Sequence, residues 1–272
     1  MQLRSKIEPI FFPDAEQATV MRMGLQPLPT AQWMMVDADL PQFYAHKLQQ
    51  HELHIERVFQ ALPQSAAAQE EFAQMLQKHL ERDHAYMINE DEKLVHTNSQ
   101  LAWDTALTDL WHSSLWIQED ICILESSGDS YCLTAASVCS PSNWKLEEKI
   151  GRTVDVIHGP VPGYQDAMGA KVNRLLIGLK ADKPVQRLNW SIQPGADMFW
   201  RADLKDYSDE TEKFWRVERQ TLRRLPKTQA IVFGIRVFMH SFEIMSQYPE
   251  FQGNIANILR RLPPEQKTYK NL

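Results

Sequence analysis

The chain has 272 residues, enough for one large domain, and its 43% hydrophobic and 24% charged residues are ordinary for a globular protein. The net charge of -6 and the lack of a basic cluster exclude nucleic acid and an anionic membrane as partners. No apolar run approaches the ~18 residues of a membrane span, and residues 1–13 lack a signal-peptide apolar core, so a cytoplasmic protein is expected.

The first part of the chain is predicted to be an arm followed by two helices. Residues 1–40 are irregular and rich in proline, and we expect them to lie over a neighbouring surface. Apolar residues at 3.6 spacing predict a helix from Pro41 to about residue 62 and a second helix over 67–86. Residues 90–109 are polar and turn-rich, which indicates a connection.

The histidines of these two helices are expected to face water. His51, Glu52 and His54 are one residue short of the zinc-protease spacing, which needs histidines at i and i+4 on one helical face. His79 and His84 fall on the polar face of the second helix.

The rest of the chain has the pattern of an antiparallel sheet. Residues 115–125 and 131–139 read as two strands of a hairpin joined by a four-residue loop. An amphipathic helix follows over residues 166–180. Three further strands are predicted over 185–192, 214–222 and 229–238, and a helical tail, broken near Pro249, over 241–262. This order predicts the α+β class.

The three cysteines exclude a zinc ribbon and an iron–sulfur cluster, because Cys122, Cys132 and Cys139 contain no C-x-x-C pair. Cys122 and Cys132 flank the hairpin, so they are either cross-strand neighbours or small buried residues of a reduced protein. Phosphate-loop, dinucleotide and serine-hydrolase motifs do not occur, which disfavours the common nucleotide enzymes and hydrolases.

Two glycines, two prolines, a histidine and a tyrosine fall within residues 157–164, a composition that predicts a stiff, bent loop. His158 lies near its start. An imidazole held on such a loop is either a metal or haem ligand or a hydrogen-bonded structural residue.

Charged residues on two strands are further candidates. Period-two geometry places Arg219 on the same face as Trp215 and Val217. Such a guanidinium needs a carboxylate from a side chain or from a ligand, unless it is an exposed strand end. Glu119 and Asp120 open an apolar strand, where they are either solvated or directed into a pocket.

Six short segments, in this order, resemble the haem-dependent oxidative N-demethylase alpha-subunit family. They are Gln118-Glu119-Asp120-Ile121-Cys122, Cys139-Ser140-Pro141-Ser142-Asn143-Trp144, Glu148-Lys149-Ile150-Gly151, Ile157-His158-Gly159-Pro160-Val161-Pro162, Asn189-Trp190 and Glu218-Arg219-Gln220-Thr221-Leu222. The opening Met23-Gly24-Leu25-Gln26-Pro27-Leu28 and Trp33 also resemble that family, so the likeness covers residues 21–236.

The resemblance implies a single domain over residues 1–272. A mainly helical part, 1–110, would precede a PAS-like antiparallel sheet core, 111–240, and a helical tail, 241–272. The core would carry haem b and demethylate a small secondary amine such as dimethylamine with O₂, releasing formaldehyde. This chain has no flavin or nicotinamide motif, so the electrons would come from a separate flavin and iron–sulfur reductase.

The resemblance also implies residue roles. His158 would be the axial ligand of the iron, and His112 and His240 are the alternative, or reserve, candidates for that role. Trp190 would contact the haem, and Arg219, Arg223 and Arg224 would neutralise its propionates. Glu119 or Asp120 would pair with the protonated amine as the catalytic carboxylate. The alternatives are a haem-binding PAS-like sensor without turnover and a partner-binding domain without haem.

Overall fold

A seven-stranded antiparallel sheet organises the chain, in a computed structural model that describes residues 8–12, 23–159, 169–204, 211–264 and 267. Its strand order is β1-β8-β9-β10-β6-β7-β2. The strands are β1 (Gln26–Pro27), β2 (Phe59–Ala61), β6 (Asp120–Ser127), β7 (Ser130–Ser137), β8 (Val185–Pro194), β9 (Lys213–Arg224) and β10 (Ile231–Ser241). Mixed helices and antiparallel strands confirm the α+β prediction.

Helices precede, interrupt and follow the sheet. They are α1 (Leu40–Val58), α2 (Ala66–Asp83), α3 (Leu110–Ser114), α4 (Leu146–Lys149), α5 (Val154–His158), α6 (Ala170–Gly178), α7 (Phe242–Met245) and α8 (Pro249–Arg261). The predicted first, second and last helices are confirmed, and the tail is divided just before Pro249 as expected. The predicted helix over 166–180 is confirmed for the part that is described.

A second sheet corrects the predicted connection over residues 90–109. Three short strands, β3 (Tyr86–Ile88), β4 (Lys93–His96) and β5 (Leu101–Asp104), pair antiparallel in that order. Each strand has only three or four residues, too few to show an alternating pattern in a polar sequence. Buried Leu94 and Trp103 join this sheet to the main core.

The predicted hairpin is confirmed, but its turn is shorter than expected. β6 ends at Ser127 and β7 begins at Ser130, so only Gly128, with φ of 61°, and Asp129 separate the strands. This register places Cys122 opposite Ala136 and Cys132 opposite Glu125, so the two cysteines are not cross-strand neighbours. All three cysteines are free thiols.

The main sheet has two faces that carry different parts of the molecule. Arg223 lies over the Trp33 ring at 4.5 Å, and its face is here called the Trp33 face. The other face packs against α5 and α6 through Leu222 and Phe233, and it is here called the His158 face. The predicted alternation of Ile231, Phe233, Ile235 and Val237 is confirmed, because all four lie on the His158 face.

Over the described ranges, no helix combines the length and the apolar character needed to cross a membrane.

Candidate functional site

His158 lies at the end of α5 with its imidazole fixed by the backbone. Its Nδ1 donates to the carbonyl oxygen of Val154, one turn earlier, at 2.8 Å. This donation places the lone pair on Nε2, which is the form of histidine that binds a metal. Burial lowers the pKa of His158, and nearby Arg187 lowers it further, so the ring is neutral near pH 7. The neutral ring is competent to bind iron.

The predicted stiff loop lies only partly within the described residues. Ile157 and His158 belong to the last turn of α5, and Gly159 follows as its cap. Residues 160–164 lie outside the described part of the chain. The support for His158 that the structure shows is therefore a helical turn, with Val154 and Ile157 packed against the sheet.

A row of polar side chains crosses the His158 face of the sheet. Arg187 Nε donates to Gln220 Oε1 at 2.6 Å, and Gln220 Nε2 donates to Glu218 Oε2 at 2.9 Å. Arg216 Nε donates to the other oxygen, Glu218 Oε1, at 3.2 Å. Antiparallel register also places Asn189 beside Glu218. The row thus presents a half-buried carboxylate held from both sides.

Apolar side chains complete this surface. Leu222, Phe233 and Ile235 are half-buried and lie on the same face as the polar row. An apolar floor with polar groups along one side suits a planar macrocycle with charged edges. The oriented imidazole of His158 and the polar row on the same face are therefore groups of the kind that a haem requires.

Glu119 lies on the Trp33 face, away from His158. Its Oε1 accepts from the Met35 backbone N–H at 2.8 Å, and the neighbouring Gln118 exchanges two hydrogen bonds with Asp37. The two side chains thereby fasten the segment before α1 to the sheet. Glu119 Oε2 is buried without a hydrogen-bond partner among the described residues.

Asp120 lies at the start of β6 and is 1% exposed. Its two oxygens accept from the backbone N–H groups of Cys139 and Ser140, at 2.9 and 2.8 Å. Burial raises its pKa, while the buried ammonium of Lys47 opposes that change. Both oxygens therefore hold the chain that leaves β7. The role of Glu119 or Asp120 as the amine-binding carboxylate stays a prediction.

Arg219 and Arg223 lie together on the Trp33 face, as strand alternation predicted for Arg219. Arg219 donates to the Gln186 side chain and to the carbonyl groups of Gln32 and Trp33. Arg223 donates to the Ala181 carbonyl and stacks on Trp33. The body of the sheet separates both guanidinium groups from α5.

Arg224 points to the opposite face from Arg223, because successive side chains of a strand alternate. Its guanidinium N–H groups donate hydrogen bonds to oxygen atoms of the protein. It donates to the carbonyl groups of Leu176, Ile177 and Leu179 at the end of α6. Further donors reach Gln229 and the Tyr131 hydroxyl. These contacts satisfy carbonyl groups that the helix end leaves unpaired. The three arginines predicted for the propionates are therefore not gathered at one place.

Trp190 also lies on the Trp33 face, stacked on Trp215 with ring centroids 4.9 Å apart. Of the reserve ligands, His112 pairs with Asp109 near the protein surface, and His240 is buried beside the strand residue Trp215. Neither lies with His158. The cofactor roles predicted for Trp190 and the arginines stay predictions.

His79, one of the histidines expected in water, is buried. His79 is 2% exposed, and the rings of His51 and His54 stack on Trp111 and Phe199. The expectation was wrong for His79, because a polar face of a helix can be covered by another segment, which helical spacing does not show. His51, His54 and His84 are half-buried.

Sequence reasoning missed Arg187, Glu218 and Gln220 as a group. The signal was present, since the alternation that placed Arg219 on one face of β9 placed Glu218 and Gln220 on the other. Only the pairing of β8 with β9 brings Arg187 beside them.

One family model matches residues 24–272, nearly the whole chain, and its description is haem-dependent oxidative N-demethylase, alpha subunit-like. The description names haem as the cofactor, oxidative N-demethylation as the reaction and an alpha subunit, which implies a multi-subunit enzyme. The match agrees with the ordered motifs and with the neutral, oriented imidazole at the end of α5. The chain belongs to the haem-dependent oxidative N-demethylase alpha-subunit-like family.

Proposed function

We propose that this chain is the haem-carrying subunit of an oxidative N-demethylase that acts on a small secondary amine. The observation that carries the proposal is the hydrogen bond from His158 Nδ1 to the Val154 carbonyl, which leaves Nε2 as the nitrogen that would bind the iron. The family description supports the same cofactor and reaction.

The fold supports a PAS-like core. The strands β8-β9-β10-β6-β7 form one antiparallel sheet, and helices α4 to α6 lie between β7 and β8 in the chain. A haem b on the His158 face would be held by His158 and would lie close to the polar row of Arg187, Gln220 and Glu218.

Bound haem would supply activation of O₂ and removal of electrons from the amine, with formaldehyde as the product of the released methyl group. The residues of this chain would bind the haem group and orient the amine. His158 would hold the iron. Arg187 lies on the same face and acts electrostatically on His158, and its guanidinium would suit a propionate.

Glu218 is the carboxylate of this face that we assign to the amine. Arg216 and Gln220 hold its two oxygens in place, so the carboxylate is fixed before the substrate arrives. A carboxylate fixed in this way would accept a hydrogen bond from a protonated secondary amine and would orient its methyl group. The electrons would come from a separate flavin and iron–sulfur reductase.

The test begins with the absorption spectrum. Protein produced with sufficient haem is expected to show a Soret band, and His158→Ala is expected to lose or shift it. His112→Ala, which changes an exposed histidine outside this face, is the matched control and is expected to keep the band. An unchanged band in His158→Ala would refute the ligand assignment.

A second measurement separates enzyme from sensor. Oxygen uptake that depends on dimethylamine, in the presence of a flavin and iron–sulfur reductase, is expected of the enzyme. Haem-loaded protein that consumes no oxygen with any small amine would support a haem-binding sensor instead. Absence of a haem spectrum after reconstitution would support a partner-binding domain.

A further inference from the structure

We propose that the Trp33 face carries a second ligand site, which binds a small monocarboxylate with an apolar body through Arg219. The site is a cavity of about 440 Å³, here called the Arg219 cavity. Its polar lining includes Arg219, His84 and Gln186, and its apolar lining includes Met34, Val36 and Leu188. The proposal does not rest on the haem site proposed for the other face.

The guanidinium of Arg219 lacks an acidic partner. It is 7% exposed, and no carboxylate of the described residues lies within ion-pairing distance of it. Its hydrogen bonds go to uncharged oxygens of Gln186, Gln32 and Trp33. These take three of the five N–H donors that a guanidinium carries. A buried cation without a counter-ion is costly, and a bound carboxylate would remove that cost.

Neighbouring charges leave the position open to an anion. Arg236, which faces Arg219 across the strand pair, donates to Asp37 at 2.9 Å and is already neutralised. Glu119 acts on Arg219 from beyond ion-pairing distance and is held through Oε1 by the Met35 N–H. A ligand carboxylate would therefore meet guanidinium donors that no acidic side chain of the described residues occupies.

The apolar lining of the Arg219 cavity indicates which hydrocarbon body the carboxylate ligand would carry. The apolar lining consists of Met34, Met35, Val36, Leu188, Ile10 and Ala31. Thioether side chains adapt to different shapes, so this lining suits a flexible or aromatic hydrocarbon body. A cavity of this volume is within the range of small-molecule sites.

Hexanoate is the probe, and hexanamide, which has the same body without the charge, is its control. Calorimetric titration of the haem-loaded full chain is expected to show binding of hexanoate and not of hexanamide. Arg219→Gln is expected to weaken hexanoate binding by roughly tenfold or more, which corresponds to loss of a charged hydrogen-bond pair. Arg260→Gln, at an exposed position of α8 and outside the lining, is expected to bind as the parent does.

Haem content separates this role from a propionate contact. Arg219→Gln is expected to keep the haem content of the parent, and loss of haem in that variant would overturn the proposal. So would equal binding of hexanamide, unchanged hexanoate binding in Arg219→Gln, or no binding of any straight-chain acid from acetate to octanoate.

A second variant covers the case in which Arg219→Gln does not fold. Leu188 is 36% exposed at the rim, so Leu188→Trp fills the cavity without altering the core. Hexanoate binding is expected to fall in this variant, and binding equal to that of the parent would place the ligand elsewhere.

Discussion

Arg216 and Glu218 lie two residues apart on β9, and the Nε atom of Arg216 donates to Glu218 Oε1 at 3.2 Å. Arg216 is fully buried and also donates to the Ser140 and Met198 carbonyls, so its position is fixed from several directions. The pair keeps a carboxylate oriented on the face that carries His158. An oriented charge costs no reorganisation when a cation binds.

Glu218→Gln is expected to retain haem and to lose amine recognition. The amide keeps the shape and one acceptor but not the charge, so kcat/KM for dimethylamine is expected to fall roughly tenfold or more, mainly through KM. Steady-state oxygen uptake and the Soret band measure the two effects. Glu243→Gln, at an exposed position of α7, is the control, and equal kcat/KM in both variants would contradict the role of Glu218.

Gly234→Ala is expected to destabilise the sheet. An added Cβ would lie 2.8 Å from Thr221 Oγ1, which faces Gly234 across the strand pair. Such overpacking costs about 1–3 kcal/mol. Urea unfolding measures the loss. Gly178→Ala in α6 is the control, because its added Cβ meets nothing within 4 Å.

A double variant, Gly234→Ala with Thr221→Ala, tests whether the contact with Thr221 Oγ1 causes the loss of stability. Thr221 Oγ1 is buried without a hydrogen-bond partner among the described residues, so Thr221→Ala removes the clash without breaking a bond that the structure shows. Gly234→Ala is expected to cost less in the Thr221→Ala background than in the parent. Strictly additive free energies of unfolding would show that the close approach to Oγ1 is not responsible.

Arg224→Gln is expected to lower the free energy of unfolding by about 2–4 kcal/mol, because it leaves buried carbonyl groups at the end of α6 unpaired. Chemical denaturation measures this, with Arg260→Gln on the exposed side of α8 as the control. The haem content of folded protein is expected to stay unchanged. Loss of haem at unchanged stability would instead support the propionate contact that the sequence predicted.

Stability is expected to fall as the pH decreases from 6.5 towards 4. Burial lowers the pKa of His240 from 6.5 to about 4, and those of His46 and His79 also fall to about 4. Between these pH values the unfolded chain binds protons that the folded chain does not, so each histidine contributes stability above pH 6.5 that is lost below it. The full effect is about 3 kcal/mol for each ring.

His240→Leu tests this dependence for a single ring. His240 Nε2 has no hydrogen-bond partner among the described residues, so leucine removes the titration at little other cost. The pH dependence of urea unfolding is expected to lose the uptake of one proton between pH 6.5 and 4. An identical slope in the parent and the variant would show that His240 is not the buried neutral group proposed.

The sequence by itself determined the long elements and the family. Apolar residues at period 3.6 identified the first two helices, and alternation along residues 231–237 identified a strand and the residues that share one of its faces, because these patterns are local. Ordered short motifs around His158 and Glu218 identified the family, since their order carries information that no single motif has.

Only the tertiary structure decided which residues share a site. The sheet has two faces, and a strand read alone does not show which face meets which helix. The pairing of β8 with β9 brings Arg187 beside Gln220 and Glu218, and the packing of α5 adds His158 to the same face. Arg219, Arg223, Glu119 and Trp190 lie across the sheet, because adjacent residues of a strand point in opposite directions.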